Sequence, residues 1–145
     1  MRQVIADKKE EKISIKTGRI LGLDYGTKRI GLAVSDTNQT QAFVYDTLIA
    51  DNKTFEKIKE ICTRELIDKI IVGLPLGLSG EYTEKTEEVI CFIAELETRT
   101  KLVVETEDER LSSVEASKNQ NGQGIDESAA QIILQRYLDK KNNNL

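Results

Sequence analysis

Ile20-Leu21-Gly22-Leu23-Asp24-Tyr25-Gly26 runs directly into Thr27-Lys28-Arg29-Ile30-Gly31-Leu32-Ala33-Val34-Ser35-Asp36. An apolar run ends in a carboxylate, Gly26 follows two residues later, and a second apolar run begins at once. That order predicts a strand over 19–24, a tight turn, and a neighbouring strand over 29–35. Asp24 then stands at the tip of the first strand. A carboxylate on a rigid strand end, beside backbone with little side-chain bulk, suits a divalent metal. The competing reading is a hairpin whose Asp only supports its turn.

Working outward, residues 42–49 follow a polar turn and predict a third strand, so the first three form an antiparallel meander. Phe55, Ile58, Ile61, Cys62 and Leu66 recur at helical spacing and predict a helix over 54–66. Ile70-Ile71-Val72-Gly73-Leu74-Pro75-Leu76 has no polar interruption, the pattern of a strand buried on both faces. A second helix is expected over 83–98, with Glu84, Lys85, Glu87 and Glu88 on a solvated outer side. Leu102-Val103-Val104 opens a fifth strand that leads into the acidic run 105–109, which taken singly reads as a solvated loop. Ser112 and Glu115 have capping-box spacing for a helix starting near Val114. Residues 119–124 read as a loop and 126–140 as the last helix. Strand–helix alternation after a meander gives an α/β domain with a five-stranded mixed sheet. Residues 1–18 read as a flexible charged arm, 19–141 as the domain and 142–145 as a frayed tail.

Composition narrows the chemistry. The 145 residues suit one domain with a real core. The absence of histidine removes Ser-His-Asp and Cys-His catalysis and the usual zinc sites. Carboxylates with oxygen-preferring metals are then the natural route to hydrolysis. Cys62 and Cys91 lack metal-ligand spacing and read as small buried apolar residues. The net charge of −4 argues weakly against non-specific nucleic-acid binding, but basic residues can still cluster locally. No apolar run approaches the roughly 20 residues of a membrane span, and residues 1–16 hold no apolar signal core, so a cytoplasmic protein is expected.

In the last helix Asp126, Ala129, Ala130, Ile133 and Tyr137 share one face. Asp126 is costly to bury there unless paired or metal-bound, although a plain N-cap also accounts for it. The alanines let the helix approach the sheet closely. Asp108 and Glu109 close the acidic run, and Arg110 can pair with them or face a phosphate. Asp24, Glu109 (or Asp108) and Asp126 thus come from three separate elements. Such a cluster repels itself unless cations neutralise it. Two Mg²⁺ or Mn²⁺ ions, or a local Lys or Arg for each acid, are the alternatives.

These residues carry a family resemblance. Leu23-Asp24-Tyr25-Gly26 through Ser35-Asp36 resembles the opening signature of the YqgF/RuvX family. Gly73-Leu74-Pro75-Leu76 with Gly80 resembles its fourth-strand motif, and Asp108-Glu109-Arg110-Leu111-Ser112-Ser113 its fifth. Asp126-x-x-Ala129-Ala130 through Tyr137-Leu138 resembles its last helix. The resemblance implies an RNase H-like fold related to RuvC-type Holliday junction resolvases, and a two-metal nuclease using Mg²⁺ or Mn²⁺. It implies Asp24, Glu109 and Asp126 as catalytic metal ligands, with Asp108 a further candidate ligand. Lys28, Arg29 and Arg110 become nucleic-acid contacts, or in the case of Lys28 and Arg29 solvated turn charges. Gly26, Gly73, Pro75 and Gly80 shape the active-site loops. The implied substrate is structured nucleic acid: pre-16S rRNA trimmed at its 5′ end is favoured, with four-way DNA second. The small-subunit precursor is a candidate partner, and the protein is a monomer or homodimer with no membrane partner. The chain departs from the family in residues 118–124, which are short and almost uncharged, and in a fourth-strand end with no acid. A non-catalytic RNA-associated adaptor and an ATP-binding domain of the sugar-kinase type are the competing functions.

Overall fold

In a computed structural model of the chain, residues 18–110 and 125–143 are described, 125–128 by backbone alone. Among the described residues, five strands and three helices follow in the order β1 (Arg19–Asp24), β2 (Arg29–Ser35), β3 (Ala42–Ile49), α1 (Thr54–Arg64), β4 (Ile67–Leu74), α2 (Glu84–Thr100), β5 (Val103–Asp108) and α3 (Ile125–Asn143). They form one sheet of order β3-β2-β1-β4-β5. β1–β2 and β2–β3 pair antiparallel, whereas β1–β4 and β4–β5 pair parallel. The expected mixed sheet, an antiparallel meander followed by strand–helix alternation, is the observed one. The expected helix near Val114 and the loop at 119–124 lie outside the described residues, as do residues 1–17 of the arm.

The central strands are apolar on both faces because helices cover both. Leu21, Leu23, Ile30, Leu32, Ile70 and Val72 pack with Ile58, Val89 and Leu96 of α1 and α2. Ile20, Ala33 and Ile71 point the other way and pack with Ala130, Ile133, Leu134 and Leu138 of α3. Strand alternation puts Gly22 and Asp24 on that second face, in line with Ile20. α3 lies close to the sheet where glycines leave room. A Cβ at Gly22 would stand 2.8 Å from Leu134 Cβ, and one at Gly73 2.5 Å from Ile133 Cδ1. α3 also satisfies the edge of the sheet, since Ala42 N donates to Gln135 Oε1 (2.8 Å) and Gln131 Nε2 donates to Ala42 O (3.1 Å).

Several details differ from the sequence expectation. α1 ends at Arg64, and Leu66 takes a left-handed φ of 57° and is 67% exposed. That turn lets Leu66 O accept from Arg19 N (3.0 Å) and starts β4 beside β1. The apolar spacing therefore extended the helix two residues too far. The acidic run is strand, not loop: β5 continues to Asp108, with Glu107 buried and bonded to Lys140 Nζ at 2.7 Å. Cys62 is buried as expected, but Cys91 is exposed because it lies off the apolar face of α2. α3 continues to Asn143, held by an Asn142 Nδ2 bond to Gln39 O (3.0 Å).

Candidate active site

The site forms where parallel strands end and their connections leave the sheet. Asp24 ends β1, opposite Gly31 of β2. The following turn is tight enough that a Cβ at Gly26 would lie 2.6 Å from Arg29 O, so only glycine fits without displacing backbone. On the other side of β1, β4 and β5 are in register up to Leu74 and Asp108. Glu109 N adds one more bond to Leu74 O (3.0 Å) and thereby fixes the start of its side chain. Glu109 then lies across Gly73, its Oε1 3.1 Å from where a Cβ would stand. Gly73 is the residue that lets this carboxyl reach Asp24.

Asp24 and Glu109 meet in a hydrogen bond between their carboxyl groups. Burial is the main force pushing Glu109 up, to about 9, and the bond to Asp24 and its negative charge add to it. Lys85 acts in the opposite direction. Without further cations the pair therefore shares a proton at neutral pH. Around it lies a cleft of about 360 Å³, lined by Tyr25, Thr27, Lys28, Arg29 and Lys85 with the two acids. Lys85 was read in sequence as part of a solvated helix face. It reaches the cleft because Thr83 caps α2 and places Lys85 in its first turn. The available signal was topological: helices that follow parallel strands begin at the ligand-binding edge of the sheet.

Asp108 faces a different partner. Arg110 Nη2 lies 2.6 Å from Asp108 Oδ2, and the same guanidinium donates to Leu78 O (2.8 Å) and Gly77 O (3.3 Å). These bonds hold Asp108 below its ordinary value. Arg110 thereby ties the strand-five end to the loop after β4. That loop closes on itself through Gly77 N to Glu81 O (2.8 Å) and Gly80 N to Gly77 O (2.9 Å). Gly80 has φ 85°, the left-handed region that favours glycine. Pro75 O accepts from the buried Thr86 hydroxyl, which fastens the loop to α2.

Asp126 belongs to α3 by backbone, and its side chain lies outside the described residues. Its helix runs from the Asp24 end of the sheet toward the opposite end, where Asn142 meets Gln39. Ala130, one turn further on, has its carbonyl 3.3 Å from the Cβ position of Gly22. Asp126 therefore starts about 6 Å upstream of that contact, toward the strand end. Among the described residues, no group of three potential ligands stands close enough to hold a metal ion.

A family model described as "RuvX: Holliday junction resolvase" matches residues 18–140. The chain belongs to the RuvX family. One relative, from Maridesulfovibrio salexigens, is 39% identical over 131 residues, covering 83% of this chain and 97% of its own. Another, from Clostridioides difficile, is 39% identical over 138 residues, covering 88% and 98%. Both are named as candidate pre-16S rRNA nucleases. Among solved structures, T. thermophilus RuvC in complex with a Holliday junction aligns with TM-score 0.57 at 11% identity, covering 86% of this chain and 96% of RuvC. Fowlpox virus resolvase with Holliday junction DNA aligns with TM-score 0.54 at 14% identity, covering 85% and 98%. At such identities the likeness is one of fold, and the RuvX chain has the RNase H-like fold of these resolvases.

Proposed function

We propose that this RuvX chain is a divalent-metal-dependent endonuclease acting on structured nucleic acid in the cytoplasm, with 5′ trimming of pre-16S rRNA as its first activity. One observation carries the reading: two carboxyl groups from separate strand ends hydrogen-bonded at a cleft edge, one of them pushed up to about 9. Such a pair is costly in a resting protein and suits a hard cation that replaces the shared proton. The donor set, carboxylate oxygens with no histidine or thiolate, fits Mg²⁺ or Mn²⁺. Asp24 and Glu109 would hold the metal, with Asp126 completing the set from α3. When bound, a two-ion centre activates water and stabilises the leaving oxygen of a phosphodiester.

The chain's own residues supply the rest. Lys28, Arg29 and Lys85 line the cleft as cations for the substrate's phosphates. Asp108 neutralises Arg110, so Arg110 acts by holding the 77–81 loop and not as a free phosphate contact. The relatives' names favour ribosomal RNA. The family description and the RuvC-like fold favour a four-way DNA junction as the second reading.

The test is cleavage of a labelled pre-16S 5′-leader RNA and a four-way DNA junction, with Mg²⁺ or Mn²⁺, by the wild type and Asp24→Asn. RNA cut only by the wild type supports the proposal, and cutting of the junction alone reverses the substrate ranking. A folded protein that binds leader RNA but cuts neither substrate points to an adaptor.

A further inference from the structure

A second concavity opens beside the cleft. It is a groove of about 670 Å³ between the β1–β2 turn, α1 and α2. It adjoins the cleft, and Tyr25 and Thr27 line both. Its floor is aromatic: Tyr25 lies 4.5 Å from Phe92 between ring centroids, and Phe55 5.3 Å from Phe92. The Arg99 guanidinium closes the outer end, 5.0 Å from the Phe55 centroid.

The charges around the groove select its occupant. Asp51 and Glu88 are on its lining, and the guanidinium of Arg99 is bonded to Glu95 at 2.8 Å. A phosphate would meet acids there, whereas Lys28, Arg29 and Lys85 line the adjoining cleft. A planar group that is uncharged, apolar on its faces and rich in N–H donors at its rim fits both halves of this lining.

We propose that this groove is a nucleobase subsite, which takes one unpaired base of the substrate strand while its phosphate lies in the carboxylate cleft. The base stacks on the aromatic floor and turns its amino and imino N–H groups to Glu88 and Asp51. This deepens the nuclease reading and rests on it: cleavage would need a strand with an unstacked base next to the cut, not a perfect duplex. Base–aromatic stacking is sequence-tolerant, so the carboxylate acceptors bias the site toward bases that carry N–H donors.

The test is binding without divalent metal, using leader RNA and a DNA junction that each carry a single 2-aminopurine moved position by position. Stacking on an aromatic floor quenches this base. The expected result is strong quenching at one position of at least one probe. It should be relieved in Phe55→Leu, and an abasic nucleotide at that position should weaken binding by about tenfold, the effect of one lost stack. Arg99→Gln, at an exposed position, is the second variant and should also reduce the quench. Quenching at no position, or quenching unchanged in both variants, overturns the proposal. Cleavage in Mg²⁺ is scored separately. Quenching without cleavage retains the groove and removes the nuclease reading; cleavage without quenching does the reverse.

Discussion

Gly22→Ala tests whether the close contact of α3 with the sheet positions the site. The added Cβ would stand 2.8 Å from Leu134 Cβ and 3.3 Å from Ala130 O. Both neighbours belong to fully buried residues of α3, and neither atom is the free end of a flexible side chain. Ordinary carbon–carbon contact needs about 3.5–4.0 Å, so the helix must move by roughly 1 Å. Overpacking of this kind costs about 1–3 kcal/mol, offset by about 0.5–1 kcal/mol because alanine has less chain entropy to lose in a strand. The net is a destabilisation of about 1–2 kcal/mol, or a fall in Tm of about 3–7 °C for a chain this size. Urea and thermal unfolding followed by circular dichroism measure it. The same displacement carries Asp126 at the start of α3 away from the strand ends, and a misplacement near 1 Å costs about a hundredfold in rate. A Gly22→Ala protein as stable and as active as the wild type would refute the idea that glycine is present to admit the helix.

The metal-free protein should lose stability as pH rises. Glu109 is raised from 4.5 to about 9, so the native state keeps a proton that the unfolded chain releases. Its contribution is complete below about pH 4.5 and is lost as pH climbs through about 9, and urea midpoints across that window measure the decline. Asp24→Asn removes one neighbouring charge, so its metal-free decline should be shallower and its fold intact, while cleavage is abolished; an unfolded variant would show Asp24 to be structural. Arg110→Gln should release the 77–81 loop, seen as faster amide exchange there, with α1 exchange unchanged as the internal control. Of the two thiols, exposed Cys91 should react quickly with a thiol reagent. Cys62, pushed up to about 11 by burial, should react only on unfolding. Equal labelling rates would contradict the packing of α1.

The architecture was legible because its signals are periodic and long. The uninterrupted apolar run of β4 read as a strand covered on both faces, and the apolar run of β1, ending in Asp24 before a glycine turn, read as a strand with the carboxylate at its tip. The acidic run misled because charge was taken for solvent exposure. Glu107 is inside since Lys140 reaches it from α3, a partner that no local pattern reveals. Leu66 misled because its spacing fitted the helix while the chain needed a left-handed residue to turn. Lys85 was missed for a related reason. Its role depends on where α2 begins relative to β1 and β5, which is tertiary information. The clamping of Asp108 by Arg110 was among the alternatives open in sequence, and only geometry separated it from Glu109.

The strand order has a consequence for synthesis. β1, β2 and β3 emerge first and can pair as a meander, but the second neighbour of β1 is β4, made only after α1. Glu109 comes later still, after β5, and Asp126 only with α3. Pairing of this parallel kind must wait for long chain closures. A nascent or truncated chain can therefore hold Asp24 and its turn while lacking Glu109 and Asp126. On the proposed assignment, a chain that stops before α3 lacks the full carboxylate set, so cutting requires a chain that is almost fully made.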